Sequence, residues 1–406
     1  MINPRPIQSD RRNSNRESLV TRASELSLLV PHKSGSRSPN NFDLMRLGMA
    51  MLVVWSHSFA LYFGSENREP ISLLTKGAIN SGKVGVYVFF IISGFLITQS
   101  YERSASALSY LRKRICRIYP GFIVATIICA FVIVPLYSKD FNFSPGLIAK
   151  TLGLNLLLRG YIEDHGAFGH NAVQAVDGSL WSIPYEFWCY LGVLALGLSQ
   201  SLKAYRGKLL LAVFLLLLVV RAWLELIDKK PGFSIIDAIF GWPYEWLRVL
   251  PCFLSGMLVY FYREFLPRRL WIAILGPLTM VSAFNLPLSF PCRMALLSLL
   301  FPLIATYCLF YFAYSKRLFN AARFGDFSYG TYLYAFPIQQ MMLASFGAAV
   351  PFWVFVPLAM VLSLIAGILS WHAVERWFNQ SRATVAPRRA PTALSTPESS
   401  VSNSHL

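Results

Sequence analysis

Between residues 44 and 373 the sequence runs apolar ten times, each run about 17–25 residues long and bounded by short polar clusters. A helix rises about 1.5 Å per residue, so each run can cross the roughly 30 Å hydrocarbon layer of a bilayer. The runs fall near 44–63, 84–101, 118–138, 180–199, 208–226, 240–262, 271–288, 293–313, 327–346 and 351–373. Inside lipid every backbone polar group must be satisfied within its own segment. The expected fold is therefore all-α, a polytopic membrane protein of about ten transmembrane helices. Composition agrees: of 406 residues 55% are hydrophobic and only 14% charged, with mean hydropathy +0.48. A water-facing globule carries about a quarter charged residues.

The formal net charge of +17 first suggests nucleic acid, but the basic residues sit in short clusters between apolar runs. Anionic headgroups and the positive-inside bias account for that pattern, and no nucleic-acid partner is expected. With the N-terminus inside, the inner segments hold 25 Lys and Arg and the outer connections 9. Both termini are therefore expected in the cytoplasm. Residues 1–40 and 379–406 are poor in aromatics and rich in Ser, Pro, Arg and Thr, and read as disordered tails around one membrane domain, 41–378. The first 40 residues contain no apolar leader core, so the first span is expected to serve as the insertion signal. A short apolar segment near 146–158 reads as an interfacial or re-entrant helix within a long outer loop, 139–179. The six cysteines show no metal-ligand or C-x-x-C spacing and read as packing residues.

Ionisable groups inside spans cost a few kcal/mol each on insertion scales, so they usually face a cavity or a partner. The first span, FDLMRLGMAMLVVWSHSFALYF, carries Arg46 and His57 eleven residues apart. That spacing is three helical turns plus about 20°, which puts both on one face, roughly 16 Å apart along the axis. A snorkelling arginine with a hydrogen-bonded interior histidine fits this spacing, and so does a proton-transferring imidazole at the end of a cationic passage. Ser93-Gly94 in the second span reads first as a close helix contact. In YLRKRICRIYP, Arg114 and Arg117 share a face and are able to reach one phosphate-bearing ligand, although a topology signal would look the same. Pro120 marks a kink or a fresh helix start. Glu186 follows Pro184 among Trp181, Tyr185 and Trp188, as a buried carboxylate or as the edge of an aromatic belt. Glu245 and Arg248 read as a structural pair, and His372 and Glu375 as interfacial. His165 and His170 in the long loop are a weak metal signal, and no metal site is assigned.

Together these segments resemble the acyltransferase-3 family of bacterial integral membrane O-acyltransferases. NFDLMRLGMAMLVVWSHS is similar to its first-span Arg-x10-His motif, at Arg46 and His57. GVYVFFIISGFLI resembles its F-F-x-x-S-G-F segment, at Phe89, Phe90, Ser93, Gly94 and Phe95. LRKRICRIYP resembles its Arg-x-x-Arg, at Arg114 and Arg117, and DGSLWSIPYEF its G-S-L-W stretch ending at Glu186. FGDFSYGTYLYAFPIQQ resembles its late S-Y-x-x-Y-L segment, at Ser328, Tyr329, Tyr332, Leu333 and Pro337. Many members carry a histidine where this chain has Ala335.

The resemblance implies a multi-pass enzyme of the bacterial inner membrane that moves an acyl group, in the first instance acetyl, from cytoplasmic acyl-CoA to a hydroxyl of a surface glycan or its lipid-linked precursor. Acyl-CoA enters as co-substrate, and no bound cofactor is expected. His57, Arg46 and Glu186 are the implied catalytic residues. His57 would be the base or a transient acyl carrier, and Glu186 would orient it in the manner of a triad. Arg114, Arg117, Ser93, Trp181 and Tyr332 are the implied substrate-binding residues. The competing class is a secondary transporter using the same Arg, His and Glu as a substrate or proton path. Such folds commonly show internal repeats, and none is evident between the two halves.

Overall fold

The computed structural model describes residues 41–199, 205–232, 237–315 and 323–380, and among them every regular element is helical. The tails expected at 1–40 and 379–406 lie outside the described residues, apart from 379–380 at the end of the last helix. Eleven helices organise the chain: α1 (Phe42–Phe63), α2 (Ser81–Glu102), α3 (Ala107–Tyr137), α4 (Pro145–Leu156), α5 (Ser182–Leu198), α6 (Arg206–Leu226), α7 (Pro243–Tyr262), α8 (Leu270–Phe284), α9 (Phe290–Ala313), α10 (Ser328–Phe346) and α11 (Phe352–Asn379). Each of the ten apolar runs carries one of these helices, and α4 is the short extra segment. By length and composition six of them, α1, α2, α3, α6, α9 and α11, are long and apolar enough to cross a membrane. Helices α5 and α8 are apolar but shorter. Leu211, Leu215, Val219 and Trp223 of α6 and Leu358, Val361, Ile365 and Leu369 of α11 form exposed apolar stripes. Stripes this large belong against lipid rather than water. The protein is a multi-pass membrane protein.

Helix α2 is the axis of the bundle, packed on α1 and α7, with α5 and α9 beside it. Its crossing with α7 is backbone against backbone. A Cβ added at Gly94 would lie 1.9 Å from the Phe253 carbonyl oxygen, and one at Gly256 would lie 2.0 Å from that of Ile91. The close contact expected of Ser93-Gly94 therefore belongs to Gly94, which leaves Ser93 on another face. Replacing Gly94 with Ala is expected to cost about 1–3 kcal/mol, because rigid backbone cannot yield as a side chain does. A clear fall in the melting temperature of the purified protein checks it, and an unchanged melt would mean that the helices part at no cost.

Helix α3 begins earlier than the apolar run predicts. The Ser106 hydroxyl accepts from the Ser109 amide at 3.1 Å and caps the helix, so the cluster Arg112–Arg117 forms its first turns rather than a loop. Pro120 lies inside that continuous helix, and a π-turn at Cys129–Ile133 precedes Pro135, which lacks the N–H of a regular ladder. Beyond α4 the long loop is pinned in place. Asn155 exchanges two 2.8 Å hydrogen bonds with the Tyr161 backbone. The Gln340 side-chain amide of α10 donates to the Val173 and Ala175 carbonyls at 2.7 and 2.6 Å. Phe168 and Val176 pack on Cys129 and Ile133. All six cysteines are free thiols, three of them buried, as packing residues would be.

Candidate active site

Three adjoining cavities run along α2 between the two ends of the bundle. The first, about 230 Å³, opens where α1, α3 and the turn before α10 meet, and is lined by Arg46, Ser93, Arg114, Arg117 and Asp326. The middle chamber, about 50 Å³, shares Arg46, Ser93 and Arg117 with it and adds Glu186, Ser182 and Tyr332. The third, about 530 Å³, lies under the long loop and holds His57, Trp181 and Phe336. It meets the middle chamber at Val86 and Tyr332. The alternation Val86, Phe89, Phe90, Ser93 is one face of α2, which is why a single helix lines the whole passage.

The first cavity is a charge cluster. Asp326 accepts from Arg46 at 2.8 Å and from Arg117 at 2.7 Å, and the Ser328 hydroxyl donates to its other oxygen at 2.5 Å. Burial alone would raise the Asp326 pKa, but the Arg117 and Arg46 guanidinium groups hold its carboxyl well below the usual carboxylate range. Arg117 also reaches Glu375 at 3.6 Å. Glu375 was expected at the interface. It is instead 1% exposed, turned inward by a π-turn at Trp371–Glu375 and held by the Ser370 hydroxyl at 2.9 Å. His372 does stay exposed, beside Arg376. Arg114 differs from its neighbours: it pairs with no carboxylate among the described residues. One Nη donates to Ser100 Oγ at 3.2 Å, its plane lies over Tyr110 and Tyr190, and its buried Nε has no partner.

In the middle chamber Glu186 Oε1 accepts from Ser93 at 2.6 Å and from Tyr190 at 2.5 Å. The triad-like pairing of Glu186 with His57 is not formed, since Glu186 and His57 line different cavities and Glu186's bonds go to α2 and its own helix. Tyr332 stands at the neck. Its hydroxyl donates to the Ser179 carbonyl at 2.6 Å and lies 2.8 Å from Ser182 Oγ. Asp177, in the same loop segment, accepts from the Ser179 hydroxyl at 2.5 Å and amide at 2.9 Å, yet burial pushes its pKa up to about 7.

In the outer cavity the His57 ring packs edge-on against Phe336 at 5.2 Å, and its Nδ1 has no hydrogen-bond partner. Trp181 is 38% exposed at the cavity wall. Glu245 and Arg248 pair at 2.8 Å as expected, but they also line this cavity. His165 and His170 do not enter it, and among the described residues no group of three or more His, Cys, Asp or Glu is placed to hold a metal ion. The structure thus brings Arg46, Ser93, Arg117, Glu186 and Tyr332 together, sets His57 and Trp181 in the chamber on one side of them, and leaves Arg114 in the cavity on the other.

A family model described as an acyltransferase domain, acyltransferase 3, matches residues 40–372, most of the chain. The chain belongs to the acyltransferase-3 family. The chain is 30% identical over 353 residues to an O-acetyl transferase of Shigella phage Sf6, covering 86% of this chain and 96% of that protein. It is 27% identical over 386 residues to nodulation protein 10 of Rhizobium leguminosarum bv. viciae, covering 89% and 98%. No solved structure matches the chain. In this acyltransferase Ala335 is 1% exposed and packed with Val54 and Phe355 rather than lining a cavity. A histidine there would not face the passage without a shift of α10.

Three groups of the site escaped the sequence reading: Asp326, Tyr190 and the inward role of Glu375. The signal for Asp326 was present. Two arginines close to one membrane face need anions, and FGDFSYG offers a carboxylate beside the late motif.

Proposed function

We propose that this acyltransferase moves an acetyl group from cytoplasmic acetyl-CoA to a hydroxyl of a surface glycan or its lipid-linked precursor, in the bacterial inner membrane. The observation that carries this reading is the passage itself, with a cationic inner end and an imidazole in a roomy outer chamber. In this reading the Arg114 end faces the cytoplasm, which the 25-to-9 distribution of basic residues supports.

Arg46 and Arg117 already have Asp326 and Glu375, so Arg114 is the guanidinium free to take the donor's phosphates. From Ser100, beside Arg114, to Lys83, in the His57 cavity, α2 rises roughly 25 Å, a distance bridged by a long thin arm such as acyl-pantetheine. The arm passes Ser93 and Glu186, whose carboxylate balances the guanidinium charge along the path, and displaces the neck at Tyr332. His57 takes the proton of the acceptor hydroxyl as that oxygen attacks the thioester carbonyl, and CoA leaves as the thiol. The acceptor enters from the outer side, beneath the loop and against Trp181.

Transfer of labelled acetyl from acetyl-CoA to glycan by the purified protein tests this reading. Solute uptake by proteoliposomes without any acetylation would return the chain to the transporter class. For the donor end, Arg114→Gln is expected to weaken CoA binding about tenfold, the usual scale for one charged hydrogen-bond partner. Calorimetric titration with CoA reads it directly, and an unchanged affinity would reduce Arg114 to a topology signal.

A further inference from the structure

The outer cavity holds a second polar device that the acyl-transfer step does not use. Arg248 donates through Nε to the Tyr87 hydroxyl and through Nη1 to Glu245 Oε1, both at 2.8 Å. Its guanidinium is also stacked 5.6 Å from the Tyr244 ring, and Tyr244 is in turn anchored on buried Glu225 at 3.0 Å. The pair is therefore held rigid from behind. Two of its polar ends remain: Glu245 Oε2 is buried without a partner, and Arg248 Nη2 makes no hydrogen bond among the described residues. A buried carboxylate oxygen left unsatisfied costs stability unless a ligand fills it.

We propose that Glu245 and Arg248 read two adjacent hydroxyls of a neutral pyranose acceptor. The assignment rests on the acyl-transfer reading above and names the acceptor's chemistry. A carboxylate and a guanidinium joined by one ion pair can accept from one hydroxyl and donate to its neighbour, and a lone hydroxyl leaves one of them empty. Trp181, Tyr185 and Trp242 line the same cavity and supply the aromatic side chains a sugar ring packs against. At about 530 Å³ the cavity accommodates a hexopyranose with part of its neighbour. Its other ion pair, Glu66 with Lys83 at 3.7 Å, leaves the lining without net charge, which favours an uncharged ring over a uronic acid. His57 stands in the same chamber, so the acylated hydroxyl is one set by where this pair holds the ring.

The test uses the full-length protein in detergent with labelled acetyl-CoA and a panel of methyl glycosides: glucoside, galactoside, mannoside, glucuronide, and the mono-deoxy forms of the neutral three. Acetyl is expected on a neutral glycoside in preference to the glucuronide. Removing one hydroxyl of the recognised pair is expected to raise KM for the sugar about tenfold, the scale of one lost hydrogen bond to a charged group. Glu245→Gln should raise it by a similar factor for the parent sugar and add nothing for the deoxy sugar that lacks the hydroxyl Glu245 accepts from. A merely structural Glu245 would give penalties that multiply, and that result overturns the proposal. Preference for the glucuronide overturns it as well, as does acetyl moving only onto a non-carbohydrate hydroxyl, which leaves acyl transfer standing. Acetyl moving onto nothing at all overturns the underlying reading instead. The wild-type comparison of parent and deoxy sugars needs no variant, so a poorly folding Glu245→Gln does not spare the proposal.

Discussion

Replacing His57 with Ala is expected to lower acetyl transfer by about a hundredfold to ten-thousandfold, the range over which a positioned general base acts. The loss should appear in kcat, with CoA affinity unchanged, because in the proposed reading the donor's phosphates are held at the far end of the passage by Arg114. Stability should hardly move. The imidazole makes no hydrogen bond through Nδ1 and already borders an open chamber of about 530 Å³, so its removal leaves neither an orphaned partner nor a new void in packed core. That separation of effects gives the variant its value: a protein that melts like the parent, binds CoA like the parent and does not acetylate. His57→Gln, which keeps the volume and a hydrogen-bonding tip, should be as inactive if proton transfer is the role. Retention of more than a tenth of wild-type turnover in either variant would remove His57 from the chemistry.

What the sequence revealed and what it hid divide along one physical line. Local periodicity found every long helix, because apolar runs of this length have one solution in a bilayer. The short motifs singled out eight residues, of which the structure puts Arg46, Ser93, Arg117, Glu186 and Tyr332 around the middle chamber, His57 and Trp181 in the cavity beyond it and Arg114 in the one before it. Pairings across the fold were hidden. Asp326 meets Arg46 over 280 positions and Arg117 over 209, and no spacing rule reports such a contact. Glu375 was misread because regular helical periodicity cannot foresee a π-turn, which rotates the residues beyond it. Glu186 is joined to His57 only by the triad that the resemblance implies. Its partners, Ser93 and Tyr190, are a hydroxyl on α2 and another one turn along α5. Ser93-Gly94 shows the same division within a dipeptide: the glycine packs and the serine faces the passage. Glu245 and Arg248 were legible as a pair from their i, i+3 spacing, while the cavity they face was not.

Asp326→Asn is expected to destabilise the protein and tighten its grip on CoA at the same time. One carboxylate oxygen serves both Arg46 and Arg117, so its neutralisation leaves two partly buried guanidinium groups with only Glu375 to balance them. Breaking a buried pair costs roughly 3–5 kcal/mol, and the lower end applies because about a fifth of the Arg46 and Asp326 side chains remains exposed. The same two unbalanced cations then face the cavity proposed as the entrance of a polyanionic donor, so CoA should stabilise the variant against heat more than it stabilises the parent. Acid gives a second signature. The folded-state pKa of Asp326 is depressed, so the stability it contributes is complete above about pH 4, where the unfolded carboxyl is also ionised, and is lost as pH falls further. The parent should therefore lose melting temperature between about pH 4 and pH 2 by more than the variant does. Melting curves with and without CoA, across that range, read both effects on one sample. If the variant melts at the parent's temperature, the two arginines find other anions and Asp326 is not what holds the cluster together. If it melts lower but CoA rescues it no better than the parent, Arg46 and Arg117 lie off the donor's path.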